Sequence, residues 1–169
     1  EAAWALEQVF NRQIADQHTP LARFLKGIGA PLPIALKTAV DFVLNCDLRH
    51  EFENEDTDPA RVRMLVEQAQ AGNIELRHDA LNYVIKGNLD RRMQRLIASP
   101  DDLPWLARTA DLAEVVHAMG LEVNLWKTQN TCFQMLKTIA PEHVAKAGQG
   151  DAAAGEWVQQ FNRLSEQLG

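Results

Sequence analysis

The chain has 169 residues, 46% of them hydrophobic and 24% charged, a balance that allows a buried core and argues against an intrinsically disordered chain. With 17 basic residues against 23 acidic ones the formal net charge is -6, and no stretch interleaves Lys and Arg with aromatics, so no nucleic-acid partner is expected. No apolar run approaches the ~20 residues of a membrane span, and Glu1 to Phe10 carry no charged n-region followed by an apolar h-region, so no membrane partner is expected and the location reads as cytoplasmic.

Strand signals are nearly absent, whereas helix signals recur along the whole chain. A first helix is expected through about Phe10 to Asp16, with Trp4, Val9 or Phe10 and Ile14 at helical spacing. A shorter one follows Pro20, carries Leu21, Phe24 and Leu25, and stops around Gly27 and Gly29. Pro31-Leu32-Pro33 cannot continue a helix but can launch one, because proline's missing N–H costs nothing in a first turn. From Ile34 to Phe52 apolar residues cover most of the circumference, the pattern of a central buried helix.

Asp58 followed by Pro59 reads as an N-cap and first helical residue, with Val62, Leu65, Val66 and Ala69 at core spacing before Gly72. An extended link, Asn73 to Arg77, leads to a helix with Leu81, Val84, Ile85, Leu89 and Leu96 inward and Arg91, Arg92 and Arg95 outward. Ser99-Pro100-Asp101-Asp102 repeats the start signal for a helix carrying Leu103, Leu106, Ala110, Ala113, Val116 and Met119. Asn124 is expected to cap another that runs through Leu125, Cys132, Leu136 and Ile139 and is stopped by Pro141. Gly148 to Gly155 reads as a mobile loop, and Trp157, Phe161, Leu164 and Leu168 form the stripe of a last helix. The expectation is an all-α, single multi-helix bundle of about seven to eight helices over residues 1–169, with Trp4, Phe24, Phe42, Phe52, Trp105 and Trp157 in its core. Each large side chain so buried contributes roughly 1.5 to 3 kcal/mol. The start at Glu1, without Met and directly in a helical pattern, reads as a piece of a longer protein.

Candidate chemistry is sparse. Cys46 and Cys132 are far apart in helical surroundings and read as two reduced thiols. Neither a phosphate-binding glycine pattern nor a nucleophile elbow is present, and no cofactor is implied. Glu75-Leu76-Arg77-His78 and Glu114-Val115-Val116-His117 have the Glu-x-x-His spacing of helical di-metal sites. Glu75 falls in the link, and His117 aligns with Ala110 and Ala113 as a partly buried structural histidine, so no metal site is expected.

Polar residues at apolar spacing are more informative, since a buried polar group is costly unless hydrogen-bonded. Thr38, Asp41, Asn45 and Arg49 form one stripe on the central helix, open to three readings: a solvated face, an internal network, or a surface for another domain or ligand. Gln129 shares the stripe of Leu125, Cys132, Leu136 and Ile139 and is expected to bond a backbone group. Trp126, Asn130 and Phe133 lie beside it; Trp126 reads first as core, and alternatively as part of an aromatic and amide surface that stacks on sugar rings. No pair of carboxylates stands out as a glycosidase couple.

Three stretches carry a resemblance: Ala39-Val40-Asp41-Phe42-Val43-Leu44-Asn45-Cys46-Asp47-Leu48-Arg49, Asp58-Pro59-Ala60-Arg61-Val62-Arg63, and Val123-Asn124-Leu125-Trp126-Lys127-Thr128-Gln129-Asn130. Together they resemble the bacterial family called domain of unknown function 3536, found C-terminal to a barrel similar to glycoside hydrolase family 57. The resemblance implies a helical accessory domain packed on a catalytic barrel of the same polypeptide, in a protein of α-amylase or α-mannosidase type. The catalytic Glu and Asp of such enzymes belong to the barrel, so no position here is implied to be catalytic. It also implies that Trp126, Gln129 and Asn130, together with Asn45, Asp47 and Arg49, contribute to a cleft for an α-glucan or other polysaccharide. The alternative reading is a helical protein-interaction module without a carbohydrate role.

Overall fold

The computed structural model describes residues 2–76 and 78–169, without the side chains of residues 2–4, 26 and 78. The expected burial of Trp4 and the histidine of the first Glu-x-x-His pair, His78, therefore lie outside the described residues, as does Arg77. Among the described residues nine helices follow one another: α1 (Ala2–Gln17), α2 (Thr19–Gly27), α3 (Ile34–Glu53), α4 (Pro59–Gly72), α5 (His78–Ala98), α6 (Leu103–Ala118), α7 (Trp126–Thr138), α8 (Ala140–Gly148) and α9 (Ala152–Leu168). There is no strand among the described residues, so the all-α expectation holds.

The helix missing from the sequence-based count is α8. Pro141 ends α7, but it also sits in the first turn of the next helix, where its absent N–H breaks no bond. The expected loop shrinks to Gln149, Gly150 and Asp151, with Gly150 at φ 92° and the Asp151 side chain accepting from Ala154 N at 3.1 Å to start α9. A similar shift occurs before α6. Its N-cap is Asp102 rather than Ser99, with the carboxylate accepting from Trp105 N at 3.1 Å and Pro104 in the first turn. At α4 the expectation is met: Asp58 accepts from Ala60 N at 3.0 Å, and Asn73 in the left-handed region (φ 50°) follows the helix.

Two apolar cores are stacked along α5 and α6, which run through both. The first gathers Leu48 and Phe52 of α3, Val62 and Leu65 of α4, Leu81, Ile85 and Leu89 of α5, and Leu112 and Val116 of α6. The second gathers Met93 and Leu96 at the other end of α5, Trp105 and Leu106 at the start of α6, and Cys132, Met135, Trp157, Phe161 and Leu164 from α7 and α9. Leu125, just ahead of α7, packs against both.

A buried polar knot joins the cores. Asn88 Nδ2 donates to Phe52 O (2.9 Å), Asn54 O (2.9 Å) and Thr57 Oγ1 (2.8 Å), while its Oδ1 accepts from Arg92 Nε at 2.9 Å. Arg92 Nη2 donates to Thr57 O at 2.6 Å, and its guanidinium lies 4.5 Å from the Trp105 ring centroid. Arg92, expected to face outward, is thus 1% exposed. The α3–α4 loop and Trp105 close over the solvent side of α5 at this turn, and no single-helix pattern contains that information. Burial, with Arg108 adding repulsion, lowers the Arg92 pKa to about 10.

The N-terminal limb behaves differently. Only His18 separates α1 from α2, and the bonds His18 N to Ile14 O (3.2 Å) and Ala22 N to His18 O (2.9 Å) carry the helical pattern across the break. The pair is one helix kinked beside Pro20, whose ring cannot donate into the turn before it. α1 packs on α3, whereas among the described residues α2 packs on no helix but α1. Phe24, expected in the core, is consequently 63% exposed. Leu6, Val9, Phe10, Leu21 and Ile28 are exposed with it.

Candidate functional site

The sequence points to two groups of side chains, on α3 and on α7, and the fold keeps them apart. Both helices pack on α5, and among the described residues they do not pack on each other. On α3 each candidate is engaged inside the chain. Asn45 is 7% exposed and its amide donates to Asp41 O (2.8 Å) and to Glu75 O (3.1 Å), tying the link after α4 to the central helix. Asp47 forms an ion pair with Arg12 that fastens α1 to α3. Arg49 Nε lies 3.4 Å from Glu53 Oε1, one turn along the same helix. Of the three readings of the polar stripe, the internal network describes Asn45, while Thr38 at the start of the helix is exposed.

On α7, Gln129 Nε2 donates to Leu168 O at 2.6 Å, so the amide bonds a backbone group as expected. That carbonyl belongs to the last turn of α9, which has no intrahelical donor for it. The buried face of α7 is Thr128, Thr131, Cys132 and Met135, rotated from the expected Leu125–Cys132–Leu136 stripe, and Leu136 is exposed. The rotation follows from Thr128, whose hydroxyl donates to Asp90 Oδ1 at 2.7 Å and draws that side of α7 onto α5. Burial of Cys132 pushes its thiol pKa up to about 11, which keeps it neutral.

The opposite face of α7 carries the surface of interest. Trp126 is not a core residue; it is 70% exposed. Asn130 and Phe133 follow it at four and three residues, both exposed, Phe133 by 55%. One turn further on, the Lys137 ammonium sits 4.3 Å from the Phe133 ring centroid. Residues at this spacing share one side of a helix. The result is a ridge of two open aromatic rings with a carboxamide between them and a cation at one end. Such a ridge can stack on flat apolar faces and hydrogen-bond the groups at their edges. Lys137 was not singled out in the sequence; its position four residues after Phe133 is the signal that could have found it.

The second Glu-x-x-His pair does not converge. Glu114 accepts from Arg163 at 2.9 Å together with Asp111, and His117 is exposed rather than partly buried. Among the described residues no group of three or more His, Cys, Asp or Glu side chains is placed to hold a metal ion. Among the described residues the buried histidine is instead His143, stacked on Trp157 with ring centroids 4.0 Å apart. Among the described residues no helix is long and apolar enough to cross a membrane. Compared with family models, curated proteins and solved structures, the chain matches none.

Proposed function

We propose that this chain is a non-catalytic helical accessory domain of a cytoplasmic, glycoside hydrolase family 57-like carbohydrate-active protein, which braces the catalytic barrel and presents α7 to a polysaccharide. The observation that carries the reading is the exposed Trp126–Asn130–Phe133 ridge. A free-standing domain gains nothing in stability from an indole left mostly in water, whereas sugar rings offer an apolar face for the indole and hydroxyls for the carboxamide. Gln129 contributes beneath the ridge by holding α9, and Asn45, Asp47 and Arg49 contribute by keeping α3 in place rather than by touching the sugar. The apolar outer face of α1 and α2 would meet the barrel.

The test is titration of the chain with soluble α-glucan oligosaccharides, followed by tryptophan fluorescence and calorimetry. Saturable binding that disappears in Trp126→Ala, with thermal stability unchanged, is the expected result. Binding that survives Trp126→Ala and Phe133→Ala refutes the role given to α7.

The second reading is a protein-interaction module, favoured by Leu6, Val9, Phe10, Leu21, Phe24 and Ile28, six large apolar side chains exposed on one limb. A chain that binds no glucan but forms a stoichiometric complex lost in Leu6→Ser/Phe10→Ser would establish it over the first.

A further inference from the structure

Beneath the kinked limb, on the side away from its exposed outer face, lies a groove of about 510 Å³ that none of the preceding readings uses. Ala22 of α2 and Pro31 of the following loop form one wall; Val40 and Leu44 of α3, and Ala71 and Ile74 at the end of α4, form the other. Its volume falls in the range of small-molecule sites, roughly 300 to 1,000 Å³, and its lining is mostly apolar as in such sites. One wall is α2, which among the described residues packs on no helix but α1, so the groove separates α2 from α3 and α4.

The charges on the lining say what kind of molecule fits. Arg23 of α2 and Lys37 of α3 both line the groove, on its two sides, and among the described residues neither is in an ion pair. Asp41, one turn after Lys37, is the single acid among the described lining residues. Its Oδ1 is buried without a hydrogen-bond donor among the described residues, and burial raises its pKa, with Lys37 acting against the rise. Among the described lining residues two cations, Arg23 and Lys37, thus stand against one carboxylate, and the lining is net positive.

We propose that this groove binds a free long-chain aliphatic carboxylate, its chain lying along Val40, Leu44, Ala71 and Ile74 and its head between Arg23 and Lys37. The bound chain joins α2 to α3 and α4 by the apolar contacts that the helices do not make themselves. The site is independent of the carbohydrate reading and of the outer face of the limb.

The test uses dodecanoate below its micelle concentration, titrated by calorimetry and by displacement of a fluorescent fatty acid. One-to-one saturable binding is expected, weakened about tenfold or more in Arg23→Ala/Lys37→Ala. Both side chains are exposed and outside the two cores, so the variant keeps its fold. Ala71→Trp, which fills the groove from an exposed position, abolishes binding, and dodecyltrimethylammonium, with the same chain and the opposite charge, binds more weakly. Amide exchange of residues 19–27 slows on binding. The proposal is overturned by absence of saturable binding, by equal binding of the cationic amphiphile, by binding that Ala71→Trp leaves intact, or by association only with anionic vesicles. Loss of binding in Leu6→Ser/Phe10→Ser, with the groove untouched, also overturns it, because it moves the contact to the outer face.

Discussion

Asn88→Ala removes the centre of the buried knot that holds the α3–α4 loop on α5. Its carboxamide has two hydrogens shared among three acceptors at 2.8 to 2.9 Å, and its oxygen takes the Arg92 Nε hydrogen at 2.9 Å. Counting two neutral bonds at about 1 kcal/mol each and one bond to a charged group at about 1.5 to 3 kcal/mol gives about 4 kcal/mol. The stability of an ordinary domain is about 5 to 15 kcal/mol, so the variant should sit close to unfolding. Urea titration read by tryptophan fluorescence measures the loss, with the slope expected to stay constant. Asn88→Asp supplies Arg92 with a carboxylate but gives Phe52 and Asn54 no donor, and it should recover only part of the loss. A double-mutant cycle with Arg92→Met should return a coupling of about 1.5 to 3 kcal/mol. A loss below about 1 kcal/mol for Asn88→Ala, or simple additivity in the cycle, would show that the knot is geometry without energetic weight.

Gln129→Ala deletes the 2.6 Å bond to Leu168 O and should cost about 1 kcal/mol, seen as faster amide exchange confined to the end of α9. Asp102→Ala removes the α6 cap and a 3.3 Å ion pair with Arg95, lowering stability by about 1 kcal/mol in thermal melts, with little of it restored by salt. Cys132 has its thiol pKa raised from 9.0 to about 11. The stability gained by keeping this thiol neutral is fully present below pH 9 and is lost as the pH rises through 11. Cys132→Ala should therefore lose less stability than the parent chain over that window. Trp126→Ala should change stability by no more than about 0.5 kcal/mol, since the indole is 70% exposed; a larger loss in urea titration would return Trp126 to the core.

Much of the helical layout is legible residue by residue. Asp58-Pro59 starts α4, the run from Ile34 to Phe52 makes the long helix α3, which lines only the first core while α5 and α6 run through both, and Trp157, Phe161, Leu164 and Leu168 face inward on α9. These signals are local, because a cap, a proline ring or an apolar stripe acts within one or two turns of itself. Pro141 and Pro104 show where such reading falters: proline marks a boundary equally well whether it stops one helix or opens the next. The candidate site was partly legible too, since Trp126, Asn130 and Phe133 share one side of α7 by spacing alone. Whether that side faces water is a separate matter, decided by Thr128 and Met135 on the far side.

By itself, then, the sequence determined a helical chain with its principal starts and its long third helix, because backbone hydrogen bonding and apolar periodicity are written into neighbouring residues. Tertiary structure alone decided which polar groups go inside. Arg92 is buried because the α3–α4 loop and Trp105 cover it, Asn45 because the link at Glu75 crosses it, and Phe24 is exposed because among the described residues no helix other than α1 packs on α2. A side chain's solvation depends on what the fold brings to face it, and for these residues that neighbour is distant in the chain or absent among the described helices.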